Sequence, residues 1–240
     1  MDDVFETSRD GRSLSEGLLS YAELMEEQSP RFSQTDPDSG QTLARWIMGA
    51  NMLGTSDVLE CFRCVDAVDR FDLASIPYSE ATLEACAYTH LLVADLGLSV
   101  QTLRRRSYVV RMKQVFEGEA FVTRSEPATW RLIRREIPVD YFDKTSDEQR
   151  LLLPSSEQLL SARQVVYVTL LASQMLGLKL LDGQLTRTSD HDQKDRRVIV
   201  GPYNEHRLRL SPWYGEAHHR NLGLMTARKP DFPRTVWSSF

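Results

Sequence analysis

The residue types that most readily do chemistry are sparse in this chain and scattered along it. Cys61 and Cys64 form one C-x-x-C inside a helical pattern, and no second pair follows at the spacing a structural zinc site needs. With Cys86, on another apolar stretch, they read as small core residues of a protein from a reducing compartment. His191, His218 and His219, with Asp190 and Asp192, are metal-binding types, but their spacing matches no ligand motif on a defined helix. No metal and no cofactor is therefore expected. Glu117, Glu119 and Glu126 do not make the carboxylate pair that acid–base catalysis uses. No nucleophile turn G-x-S-x-G, phosphate loop G-x-x-x-x-G-K-[ST] or dinucleotide loop G-x-G-x-x-G occurs. Arg104, Arg105 and Arg106, and Arg131, Arg134 and Arg135, would bind phosphate or nucleic acid if gathered on one face; otherwise they are solvated surface. A net charge of −5 argues against nucleic-acid binding by bulk charge. Ser29-Pro30 and Ser211-Pro212 could take proline-directed phosphate, or simply turn the chain. No enzyme is expected.

The elements that would position these residues read as helices. Leu14, Leu18, Leu19, Tyr21, Leu24 and Met25 recur at helical spacing and stop before Ser29-Pro30. A second helix is expected over about 40–53, ending at Gly54. Thr55-Ser56-Asp57 then caps a third that runs to about Leu73. Pro77 to Glu80 opens another, whose Leu83, Ala85, Cys86, Tyr88, Leu91, Leu92 and Ala94 are apolar all round, as in the middle of a bundle. Further helices are expected over about 100–116, from Ser125 to Pro138, and over 158–181. Beyond Asp182 the helical period dissolves into charge, His, Pro and aromatics. The expectation is an all-α protein: a segment 1–38 with one helix, a bundle over 39–142, a linker and long helix over 143–185, and a polar tail over 186–240. With 240 residues, 41% of them hydrophobic, the chain can bury a real core. No apolar run approaches about 18 residues, so no membrane span is expected, and the acidic, polar opening does not read as a secretory signal.

The spacing of three landmarks resembles the first half of a cyclin box. Trp46 stands 23 residues before Asp69-Arg70-Phe71, and Asp69 stands 26 residues before Asp95. Upstream, Tyr21 to Gln28 is similar to the N-terminal helix of mitotic-type cyclins; downstream, Phe121 to Asp140 follows the spacing of the fifth box helix with about six extra residues before it. The resemblance covers about residues 17–141. It implies a five-helix cyclin-box bundle preceded by an N-terminal helix and followed by a reduced second helical lobe. It also implies a divergent regulatory subunit that binds and modulates a protein kinase of the cyclin-dependent type, nuclear or cytoplasmic inside the cell.

What the resemblance implies residue by residue is already altered in this sequence. The kinase-facing lysine and glutamate of cyclins become Asp95 and Trp130, so a rewired contact would use Leu92, Asp95, Leu96, Trp130, Arg134, Val139 and Tyr141. Of the peptide-docking patch, Leu43 and Trp46 keep apolar character. The arginine that pairs with the structural acid is Gly40 here, so Asp69, beside Arg70, needs another partner from Arg45, Arg63 or Arg70, or solvent. These departures keep a second reading open: an adaptor or viral structural protein that binds partners without binding a kinase. The oligomeric state is not legible.

Overall fold

Short helices alternating with strands, rather than a run of helices, build this chain. A computed structural model describes residues 39–232 apart from 64–72, 74, 205–206 and 214–216. In chain order the elements are α1 (Ser39–Met48), β1 (Met52–Leu53), α2 (Thr55–Phe62), α3 (Glu80–Cys86), β2 (His90–Asp95), α4 (Val100–Arg106), β3 (Val110–Met112), α5 (Ala120–Thr123) and β4 (Thr129–Arg134). They continue with α6 (Ser146–Leu152), β5 (Glu157–Leu159), α7 (Ala162–Leu176), β6 (Leu185–His191), β7 (Arg197–Asn204), β8 (Arg207–Pro212), β9 (Leu222–Leu224) and β10 (Thr226–Arg228).

The strands form two five-stranded mixed sheets, ordered β1-β2-β4-β10-β5 and β3-β8-β7-β6-β9. In the first, β1 and β2 are parallel and the other pairs antiparallel. In the second, the outer pairs β3–β8 and β6–β9 are parallel and the inner pairs antiparallel. The chain leaves β9 in one sheet and enters β10 in the other across a single residue, Met225. Its backbone N–H donates to Thr186 Oγ1 at 2.7 Å. The first sheet thus draws strands from residues 39–142, 143–185 and 186–240 alike.

This overturns the expected all-α bundle, and the reason is local. The apolar stretch from Leu83 to Ala94 is two elements: α3, capped by Ser79, and then β2, which is buried at all six positions. A strand covered on both faces shows no alternation, so its sequence reads equally well as a buried helix. The segment expected as the fifth helix contains β4, paired with β2 along its whole length from Thr129↔Asp95 to Arg134↔His90. The tail carries β6 to β10. The start signal at Thr55-Ser56-Asp57 does open α2, with Asp57 Oδ2 accepting from Gly54 N at 2.8 Å, but the helix ends at Phe62 rather than near Leu73, and the expected start at Ser125 opens no helix. The N-terminal helical pattern and Asp69-Arg70-Phe71 lie outside the described residues.

At the centre runs α7. Every position from Val165 to Ala172 is buried, so this stretch is covered all round, while Gln174 in the last turn is exposed. It packs on β2 of the first sheet, on β6 and β7 of the second, and on α2, α4 and α5. β-branched residues are mediocre helix formers, so this helix owes its stability to the two apolar surfaces that enclose it. Gly177, in the left-handed conformation, ends it, and Leu178 N donates back to Ala172 O at 3.1 Å.

Candidate functional site

One charge interrupts the apolar surface of α7: Arg163, in its first turn and almost wholly buried. A guanidinium at the positive end of a helix is doubly disfavoured, by desolvation and by the helix dipole. Two acids offset it, Asp95 at the end of β2 and Glu126 in the loop before β4. Arg163 Nη1 and Nη2 donate to the two oxygens of Asp95, each at 2.8 Å, in a fork. Nη2 also reaches Glu126 Oε2 at 2.6 Å. Arg131, next to Trp130 on β4, closes the square, donating from Nε to Asp95 Oδ2 at 2.6 Å and from Nη2 to Glu126 Oε2 at 3.1 Å.

Asp95 ends β2 and is 1% exposed. Burial alone would raise its pKa, but the hydrogen bonds and charge of Arg163, then those of Arg131, carry it below the usual carboxylate range. For Arg163, burial works against the charge, and Asp95 and Glu126 more than restore it. Gly97 N donates to Asp95 Oδ1 at 2.9 Å, and Gly97 O accepts from Glu126 N at 2.9 Å. Gly97 has φ +68°, and a Cβ there would overlap the carbonyl oxygen of Glu126, so only glycine lets these two segments approach. Below the network, Tyr167 Oη donates to Ala94 O at 2.7 Å and accepts from Leu96 N at 3.2 Å.

The network opens on a polar pocket of about 210 Å³ lined by Ala120, Phe121, Arg124, Glu126, Ser161, Arg163, Asp190 and His191. Asp190, from β6, accepts from Ala162 N at 2.6 Å at the start of α7. Burial raises its pKa above the usual value; that hydrogen bond works in the other direction. Ser161 caps the helix through Gln164 N, and Gln164 Oε1 accepts from Ser161 N at 2.9 Å. The Arg163 Nε–H is buried with no partner.

The expected metal-type residues do not converge. Asp192 holds Arg196 within a turn, His218 bonds Asp143 O, and His219 packs edge-on to Trp213. No group of three or more His, Cys, Asp or Glu that could hold a metal ion occurs among the described residues. Glu126 and Asp190, far apart in sequence, do meet at one pocket.

The seven expected partner-binding residues divide. Leu92, Asp95, Trp130 and Tyr141 are buried, with Trp130 Nε1 donating to Leu73 O at 3.0 Å, so they form interior rather than outer surface. Leu96 is partly buried against the core. Arg134 and Val139 line a surface cleft of about 430 Å³ with Tyr88, Thr89, Arg135, Glu136, Ile137 and Pro138. Tyr88 is 89% exposed and Val139 79%. Leu43 and Trp46 do face outward on α1, Trp46 at 79% exposure. Arg45 pairs with Asp57 at 2.7 Å.

Family models, curated proteins and solved structures yield no match to this chain. The site therefore rests on its own geometry. Sequence reasoning missed Arg163 and Gly97, and weighed Asp190 only as a metal-binding type. A signal for the first was present: a lone arginine in an apolar helix demands a buried acid, and Asp95 is the lone acid closing the apolar run of β2.

Proposed function

We propose that the protein is a binding module without catalysis of its own, which docks a protein partner through the cleft beside the end of β4. The observation that carries this is the exposure of Tyr88 and Val139 on one cleft with Arg134 and Arg135. Aromatic and arginine side chains are the types that most often dominate binding energy when a partner covers them. Both guanidiniums are already oriented: Arg134 Nη1 donates to Glu157 Oε1 at 3.2 Å, and Arg135 Nη1 to Asn51 Oδ1 at 3.0 Å. Such restraint lowers the entropy lost on docking. A second hollow, lined by Lys179, Leu180, Asp182 and Gln184, shares Arg135, Glu136 and Ile137 with the first. The partner chemistry that fits is a segment combining acidic with apolar side chains.

Of the two readings raised by the sequence, the adaptor one is retained. The kinase-specific one relied on a third and a fifth box helix, and those segments contain β2 and β4 here. The setting proposed remains intracellular; no helix among the described residues is long and apolar enough to cross a membrane. Panning a random-peptide library tests the proposal. Enriched peptides should pair Asp or Glu with apolar residues, and Tyr88→Ala and Arg135→Glu should each weaken them about tenfold or more. No enrichment, or affinities indifferent to both changes, overturns it.

A further inference from the structure

We propose that the pocket at the first turn of α7 binds one small, uncharged, polyhydroxylated ring, of the sugar or cyclitol class, between Glu126, Asp190 and Arg124. The site shares no lining residue with the docking cleft and is independent of it. The inventory of free hydrogen-bonding atoms carries the argument. Glu126 Oε2 and Asp190 Oδ2 are occupied by protein donors, which leaves Glu126 Oε1 and Asp190 Oδ1 free to accept. On the donor side stand the Arg124 guanidinium, the His191 ring and the Ser161 hydroxyl proton.

Charge narrows the ligand class. Three guanidiniums, Arg124, Arg131 and Arg163, surround the site with three carboxyls, Asp95, Glu126 and Asp190. This parity gives neither an anion nor a dication a net attraction. An apolar molecule would leave the charged lining desolvated and unpaired. A hydroxyl both donates and accepts, so neighbouring hydroxyls on one ring satisfy the free carboxylate oxygens and the free donors together. Phe121 and Ala120 supply an apolar wall for the C–H face of such a ring. A volume of about 210 Å³ lies below the range of drug-sized sites, which limits the ligand to a single ring.

Saturation-transfer NMR on the full chain tests this with glucose, ribose and myo-inositol as probes, and with inorganic phosphate and magnesium as charged competitors. At least one polyol should show transfer that neither charged species displaces. Arg124→Ala and Asp190→Asn, each shown by circular dichroism to be folded, should weaken it about tenfold or more, while Tyr88→Ala leaves it unchanged. The proposal is overturned if no polyol shows transfer, if phosphate or magnesium displaces it, or if it survives both pocket substitutions.

Discussion

Asp95→Asn keeps the shape of the most connected buried side chain in the site and removes its charge. Asp95 accepts four hydrogen bonds: two from Arg163, one from Arg131 and one from Gly97 N. An asparagine oriented to keep Gly97 N and Arg163 Nη1 on its oxygen turns its NH₂ toward Arg163 Nη2 and Arg131 Nε, which are also donors. Two charge-assisted bonds, each worth about 1.5–3 kcal/mol, are lost, and Glu126 is the one carboxylate still bonded to the two guanidiniums. The expected loss is about 3–5 kcal/mol. With a urea slope of about 2 kcal/mol/M, the unfolding midpoint followed by far-UV circular dichroism should fall by roughly 2 M. The pH dependence supplies a second reading. Because the folded pKa of Asp95 lies below its unfolded value, the stabilisation is complete above about pH 4 and is lost as pH falls through the folded value. The curves of parent and variant should therefore converge in acid. A double variant, Asp95→Leu with Arg163→Met, should recover part of the loss, because the Arg131–Glu126 pair at 3.1 Å remains intact. A loss below about 1 kcal/mol, or curves that stay parallel into acid, refutes the reasoning.

Arg163→Lys keeps a charge but cannot fork onto both Asp95 oxygens and Glu126, so urea unfolding should show a loss of about 2–4 kcal/mol. Burial lowers the His90 pKa to about 4 from 6.5, so the stability its neutral form carries drains as pH falls between those values, by up to about 3 kcal/mol. In His90→Gln that slope should flatten. Gly97→Ala should cost more than about 2 kcal/mol in urea, from the positive φ and the overlap with Glu126 O together. Trp46→Ala should leave stability within about 0.5 kcal/mol, whereas Trp130→Ala should remove about 3–5 kcal/mol, read from thermal unfolding.

Local punctuation was legible in this sequence, and non-local pairing was not. Helix starts at Thr55, Glu80 and Val100 are each marked by a small or hydroxyl residue just before or at the first turn, and such caps act within four residues; Ser161 caps α7 in the same way, but the apolar pattern put that start at Gln158, which lies in β5. The strands failed for the opposite reason. β2 is apolar on both faces because α7 and other elements cover it, so no period of two survives in Leu91-Leu92-Val93-Ala94. β1, β5, β9 and β10 are two or three residues long, too short for any periodicity. Likewise, the spacing of Trp46, Asp69 and Asp95 resembles helical stations only if the chain between them is helical, and Asp95 closes a strand. Of the expected site residues, Asp95 proves central, but to an internal network rather than to an outer face.

That network also explains why charge is tolerated in the middle of this core. A helix enclosed by two sheets could slide along its axis, since its Val and Leu side chains offer similar contacts after a shift of one turn. Asp95 of the first sheet bonds Arg163 and Asp190 of the second bonds Ala162 N, both in the first turn of α7, while Arg131 holds Asp95 in place. A shift of one turn, about 5.4 Å, would break the Arg163 fork and the Ala162–Asp190 bond together. Buried ions placed this way disfavour such a shift even where apolar packing alone would tolerate it. A polar pocket against that first turn then follows, because Glu126 and Asp190 each hold the network with one oxygen and leave the other free.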